Sequence, residues 1–195
     1  MEGLIQRVKS KHRRMFEIGK SIKTLDMILD GCLPSRDECV KLISLDGGFA
    51  SINFICLVAV KETILELTAS TLRVGEKQFE HLTTMNESGK LLKASFFIGS
   101  IMKEDVKLVN KRYDYYTKFK QACKNNNWEF VVINNHSKII LMKTENNYYV
   151  LETSSNLNEN PKIEQYSFEN DKELYNFYYG FFTILKHKTS IQKRA

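Results

Sequence analysis

The chain has 195 residues, 43% hydrophobic and 27% charged, with only 2 Pro and 9 Gly. It is long enough to bury the core of one domain without staples and too apolar to be disordered, collagen-like or mucin-like. No run approaches the roughly 18 apolar residues of a membrane span. Met1-Glu2-Gly3-Leu4 lacks the basic-then-apolar layout of a secretory signal, so the sequence reads as a soluble, cytoplasmic protein with no membrane partner.

The formal charge of +6 is spread unevenly. Residues 1–24 carry seven basic side chains against Glu2 and Glu17, a net +5, and residues 186–195 add +4, which leaves the body at −3. Basic ends on an acidic body either follow a polyanion such as a nucleic-acid backbone or merely face water. Cys32, Cys39, Cys56 and Cys123 come no closer than C-x6-C. This spacing predicts free thiols and no zinc site.

In chain order, apolar residues Leu4, Val8, Met15, Ile18 and Ile22 lie near one helical stripe and predict a first helix over residues 2–22. Gly31 and Pro34 separate it from a strand over 40–45, closed by the turn Asp46-Gly47-Gly48. Residues 49–60 are apolar all round, and their length favours a buried helix. A strand over 64–68, a helix over 76–87 stopped by Gly89, and a strand over 94–98 follow. Val106, Val109, Tyr113, Tyr116 and Cys123 mark a long amphipathic helix that dissolves in Asn125-Asn126-Asn127.

Three strands come next, over 128–133, 137–143 and 148–152, with Asn146-Asn147 as a hairpin turn between the last two. A strand over 165–168 leads to the final helix, where Asn170 and Glu173 have the form of a capping box and Leu174, Phe177, Tyr178, Phe181 and Leu185 form one stripe. The order predicts a layered α/β domain whose mixed sheet is flanked by helices.

The residues that carry chemistry sit at strand ends. His136 and Lys138, two apart at the entrance of a predicted strand, share a face, as do Ser154 and Asn156 where the partner strand of the hairpin runs out. Antiparallel pairing is expected to bring the two pairs together. An imidazole, an ammonium, a hydroxyl and a carboxamide around one point make a phosphate cradle in which the histidine can attack phosphorus, with no metal or cofactor required. Ser70 and Thr71, at the end of a strand, either approach this site or cap the next helix. Tyr113 and Tyr116 read as core rather than as base-stacking residues. His12, His81 and His187 have no ligand-spaced partner and read as structural.

His136-x-Lys138 followed after a hairpin by Ser154-x-Asn156 resembles the phospholipase D superfamily signature, H-x-K-x4-D-x6-G-S-x-N. The stretch from Asn156 through Glu164-Gln165 resembles the continuation in small phage- and mobile-element-borne members, and weaker similarity takes in Gly48-Phe49 and Thr68-Ala69-Ser70-Thr71. The resemblance covers roughly residues 40–185 and implies a phospholipase D-like domain over 36–188. The flanking residues, which it does not cover, are read from their charge and apolar pattern as a basic helical arm over 1–35 and a basic tail over 189–195. The resemblance also implies His136 as a nucleophile that forms a phosphohistidine, Lys138 and Asn156 as ligands of the phosphate oxygens, Ser154 as support, and Glu164 as the carboxylate that orients His136.

One motif in a superfamily whose site needs two implies a homodimer in which the second His136 is the general acid. The expected activity is a metal-independent phosphodiesterase acting on nucleic acid rather than lipid. The alternatives are an inactive nucleic-acid-binding or regulatory member and a scaffold with a vestigial pocket. Two positions depart from the signature: Lys143, or Asn146 when the longer hairpin is allowed for, stands where the family has aspartate, and Thr153 replaces the glycine.

Overall fold

A computed structural model describes residues 8–9, 14–19, 29, 31–45, 49–103, 114–158 and 162–192. In chain order the described elements are β1 (Val8–Lys9), β2 (Arg14–Gly19), β3 (Glu38–Ser44), α1 (Ser51–Lys61), β4 (Glu66–Thr71), α2 (Glu76–Glu87), β5 (Ala94–Gly99), α3 (Tyr115–Asn125), β6 (Glu129–Ile133), β7 (Ile139–Lys143), β8 (Tyr148–Thr153), β9 (Glu164–Asn170) and α4 (Lys172–Gln192). The described strands join one mixed sheet in the order β1-β2-β3-β9-β8-β7-β4-β5-β6.

The crossovers β4-α2-β5 and β5-α3-β6 make parallel pairs, so the three strands end at one edge of the sheet. β7 runs antiparallel to β4, with Ser70 opposite Ile139, and therefore starts at that same edge. The edge also receives the end of β8 and the start of β9, because both hairpin partners reverse direction in turn.

Alternation along the strands divides the core into two layers. On one face Leu67, Phe96, Ile140, Leu151 and Phe168 are buried beneath α1, α2 and α3, which contribute Phe54, Ile55, Leu82 and Phe119. On the other, Phe97, Leu141 and Val150 meet Tyr175 and Phe182 of α4. The Phe97 and Phe182 rings pack 4.8 Å apart. β7 and β8 are buried on both faces, which is why their sequences read as near-continuous apolar runs.

The α/β expectation holds, and several local readings are corrected. The described part of the proposed first helix is extended: β1 pairs antiparallel with β2, and β2 pairs parallel with β3, Arg14 against Cys39. Lys9 through Arg14 contain no apolar side chain, a gap that no amphipathic helix face tolerates, and β3 offers an open edge to the short apolar run after it. Within the predicted arm, residues 8–9 and 14–19 thus belong to the sheet. The strand predicted over 64–68 starts later and extends to Thr71, since β4 is paired on both sides and backbone bonding outweighs the weak apolarity of Ala69-Ser70-Thr71.

Asp171, not Asn170, caps α4: its carboxylate accepts from the backbone N–H groups of Glu173 and Leu174 at 2.8 and 2.9 Å. Asn170 closes β9 instead, donating to the Pro34 carbonyl at 3.1 Å and to the Asn147 carboxamide at 2.9 Å. Within the predicted stripe of α4, Phe177 and Phe181 are exposed, and Tyr175 and Phe182 fill the core. The turn Asp46-Gly47-Gly48 and the helical positions Val106, Val109 and Tyr113 lie outside the described residues; Tyr116 and Cys123 do lie on α3, packed against the core.

Candidate active site

At the edge where β4, β5 and β6 end, two loops approach the last residues of β4. The first runs from Asn135 to Lys138, ahead of β7. His136 and Lys138 therefore precede the strand predicted to carry them, which begins at Ile139. The second runs from Ser154 to Asn156, after β8 has ended at Thr153.

Asn135 builds the first loop. The residue is 8% exposed. It donates to Ser70 Oγ at 2.9 Å and to the Phe97 carbonyl at 2.8 Å, and it accepts from the Ser137 backbone N–H at 2.9 Å and the Ser137 hydroxyl at 2.8 Å. Ser137 Oγ in turn lies 2.6 Å from Ser70 Oγ. This network directs the intervening His136 outward: its side chain is exposed while both neighbours are tied to β4. Lys138 lies against the same histidine, Nζ donating to the His136 carbonyl at 2.9 Å and standing 3.2 Å from Nδ1. An ammonium donating into Nδ1 places the proton of a neutral ring on Nε2.

Thr71 builds the second loop. Its hydroxyl accepts from the Leu157 backbone N–H at 3.1 Å, and the Asn156 carboxamide oxygen accepts from the Leu72 backbone N–H at 3.3 Å. The oxygen of Asn156 is thereby engaged with β4, and its donor Nδ2 is the group left for a ligand oxygen. Ser70 and Thr71, which the sequence left between site and helix cap, each bond one of the two loops, and α2 is capped at Gly75 instead.

Ser154 turns away from the pair it was expected to join. Continued past the strand, the register sets Lys138 against Thr153, whose N–H donates to the Lys138 carbonyl at 3.1 Å. The Ser154 hydroxyl donates to the Glu164 carboxylate and accepts from the Gln165 backbone N–H at 3.0 Å. Glu164 is 6% exposed at the start of β9. Beneath it, burial above all pushes the Tyr166 phenol up to about 12, so that it stays protonated and donates to the Phe49 carbonyl at 3.0 Å. The structure therefore forms three contacts among the predicted residues' surroundings: His136 with Lys138, Ser154 with Glu164, and Asn156 with the end of β4.

The two departures from the signature now have places. Lys143 ends β7, five residues from Lys138 and thus about 16 Å along the strand, with its Nζ 6.0 Å from the Tyr148 ring centre. The missing aspartate is a position at the far end of the hairpin. There Glu62 accepts from Thr144 Oγ1 at 2.5 Å, Tyr149 Oη at 2.6 Å and Asn147 Nδ2 at 3.0 Å. Thr153, in place of glycine, accepts from the Ser155 backbone N–H at 2.9 Å and holds the bend that begins the second loop.

Sequence reasoning passed over Gly99. A Cβ there would come 2.7 Å from Leu72 Cδ1, 2.8 Å from the Leu72 carbonyl and 3.0 Å from the Asn135 carbonyl. Glycine at the end of β5 lets the backbones on either side of the site close in. Its signal in the sequence was only a glycine ending an apolar strand.

No protein-family model and no curated protein matches the sequence. Solved structures do match by shape. Polyphosphate kinase from Porphyromonas gingivalis superposes with a TM-score of 0.58 at 14% identity over 77% of this chain, which spans only 26% of the kinase. Nuc, a phospholipase D family member from Salmonella typhimurium, superposes with a TM-score of 0.52 at 12% identity over 75% of this chain and 91% of its own. The chain, a mixed sheet with helices on both faces, has the phospholipase D-like fold.

Proposed function

We propose that the chain is a phospholipase D-like, metal-independent phosphodiesterase that acts on a nucleic-acid backbone through His136. The observation that carries this reading is the attachment of both motif loops to consecutive residues of β4, Ser70 holding Ser137 and Thr71 holding the segment of Asn156. In this reading Lys138 Nζ leaves His136 for a phosphate oxygen, and Asn156 Nδ2 donates to another. The ring proton then sits on Nδ1, where a carboxylate can hold it; Glu164 is the carboxylate the family resemblance nominates. Nε2 attacks phosphorus, an N–P bond forms as the P–O bond to the leaving group breaks, and the leaving oxygen takes a proton from His136 of a second copy. Water then cleaves the N–P bond and regenerates the imidazole.

The choice of nucleic acid rests on charge, +5 over residues 1–24 and +4 over 186–195. No described helix is long and apolar enough to cross a membrane. A second reading, a phosphate-binding module without turnover, is favoured by one observation: Lys138 donates toward Nδ1, the arrangement that keeps Nε2 protonated.

Release of nitrophenolate from bis(p-nitrophenyl) phosphate, together with cleavage of DNA and RNA, distinguishes the two when measured in EDTA. The enzyme reading expects turnover that falls at least about a thousandfold in His136→Ala. Salt-sensitive binding of DNA or RNA with no turnover of any of the three substrates supports the second reading instead.

A further inference from the structure

We propose that the edge of the sheet around His136 is a track for a nucleic-acid backbone, on which Lys103 and Lys162 hold phosphates on either side of the one His136 meets. The track rests on the reading of the His136 cradle as a site for a nucleic-acid phosphate, and adds the residues that grip the rest of the chain. Strand order places the two lysines. Lys162 lies two residues ahead of β9. Lys103 lies in the turn after β5, which is held over the ends of β5 and β6: the Ser100 N–H donates to the Ile133 carbonyl at 2.8 Å and the Lys103 N–H to the Ser100 carbonyl at 2.9 Å. Both lysines therefore stand at the edge where β7 begins. In the order β9-β8-β7-β4-β5, the lead-in of β7 that carries His136 is the middle position, two strands from each lysine. Two steps between neighbouring strands are about 10 Å. At about 3.4 Å of rise per nucleotide along one strand, that is about three nucleotides to either side.

Charge is divided between the two edges of the sheet. The described residues of the connections at the His136 edge, 45, 49–50, 72–75, 100–103, 114, 134–138, 154–158 and 162–163, include four basic side chains, Arg73, Lys103, Lys138 and Lys162. Their one acid, Asp114, is engaged in capping α3, accepting from the Thr117 backbone N–H at 2.9 Å. Across the connections at the opposite edge, 31–37, 62–65, 88–93, 126–128, 144–147 and 171, four acids outnumber three bases. Exposed lysines taken singly only face water. A row of them confined to one edge and spread evenly about the nucleophile draws a polyanion to that edge.

The spacing of the row identifies the occupant. One phosphodiester is served by Lys138 and Asn156 at the centre. Lys103 and Lys162 are exposed, and among the described residues neither joins an ion pair. A small diester or a lipid headgroup offers a single phosphate and leaves both lysines nothing to hold. A polynucleotide presents phosphate after phosphate along the line they form. Contacts of this kind go to the backbone and not to base edges, so they fix the position of the chain without reading its sequence.

Fluorescence anisotropy on a labelled DNA duplex or RNA strand of about 20 nucleotides, whichever binds more tightly, tests it between about 50 and 200 mM NaCl. The full-length His136→Ala chain serves as parent, so that the nucleic acid is not consumed. Lys103→Gln and Lys162→Gln should each lower the slope of log Kd against log salt concentration by about 1, equally for two unrelated sequences. Lys93→Gln, which removes the same charge from an exposed position at the opposite edge, should leave the slope where it is. A slope unmoved by both Lys103→Gln and Lys162→Gln, a slope lowered as much by Lys93→Gln, or a parent that binds neither nucleic acid at about 100 μM overturns the proposal. Turnover of bis(p-nitrophenyl) phosphate by the wild type separates the two claims. Lowered slopes without turnover count against the enzyme and not the track, and turnover with unmoved slopes does the reverse.

Discussion

The hydroxyl oxygens of Ser70 and Ser137 lie 2.6 Å apart, joining the end of a central strand to the residue between His136 and Lys138. The next residue, Thr71, points to the opposite face of the sheet and accepts from Leu157, just past Asn156. Two successive side chains of β4 thus hold two loops that are nearly twenty residues apart in sequence, one from each side. Such attachment restricts the loops before any phosphate arrives, which is how preorganised sites gain over flexible ones.

Asn135 is the hub of this arrangement, so its removal should be felt twice. Asn135→Ala leaves Ser70, Ser137 and the Phe97 carbonyl short of partners they now have. It should cost about 2 kcal/mol in denaturant unfolding. Phosphodiester turnover should fall more steeply than the melting temperature implies, measured well below the transition where the variant is folded. Wild-type turnover in that variant would show that His136 does not need the network.

Gly99→Ala tests the closeness of the two backbones beside the site. The added methyl group meets a backbone carbonyl on each side, at 2.8 and 3.0 Å, and neither can rotate away as the end of a flexible side chain would. A loss of about 2 kcal/mol is expected from chemical denaturation. An unchanged midpoint would mean that β5 and its neighbours stand further apart than described.

Much of this architecture was legible in the amino-acid pattern. Glu76–Glu87 and the apolar strands β5, β7 and β8 follow from periodicity, because burial on one or both faces leaves a clear signature. The N-terminal strands were not legible: a stripe at Val8, Met15 and Ile18 satisfies helical spacing by coincidence, and the edge of β3 that captures β2 is invisible locally. At the site, His136, Lys138 and Asn156 were readable as residue types at a spacing. The turning of Ser154 toward Glu164 was not, because the strand ends at Thr153 and alternation beyond a strand end no longer decides which way a side chain points. Gly99 and the role of Ser70 depend on contacts across the sheet, for which a single sequence carries no mark.

The far end of the hairpin supplies a pH prediction. Burial alone would raise the Glu62 carboxyl, and hydrogen bonds from Thr144, Tyr149 and Asn147 more than offset it, leaving its pKa below the ordinary value. A carboxyl lowered in the folded state contributes stability above its unfolded pKa, about 4.3, and loses it as pH falls through the lower, folded value. Glu62→Gln should therefore lower the melting temperature at pH 7 and reduce the difference in melting temperature between pH 7 and pH 3. Parallel curves for the two proteins would remove Glu62 from the account of acid sensitivity.

The central claim is that the loops of His136 and Asn156 form one receptor for a tetrahedral anion, and a crystal structure with bound vanadate tests it most directly. The account predicts vanadium within bonding distance of His136 Nε2, with Lys138 Nζ moved off the imidazole and, together with Asn156 Nδ2, donating to vanadate oxygens. Vanadate bound elsewhere, or a Lys138 that stays on Nδ1 while the anion is held by other groups, would contradict it.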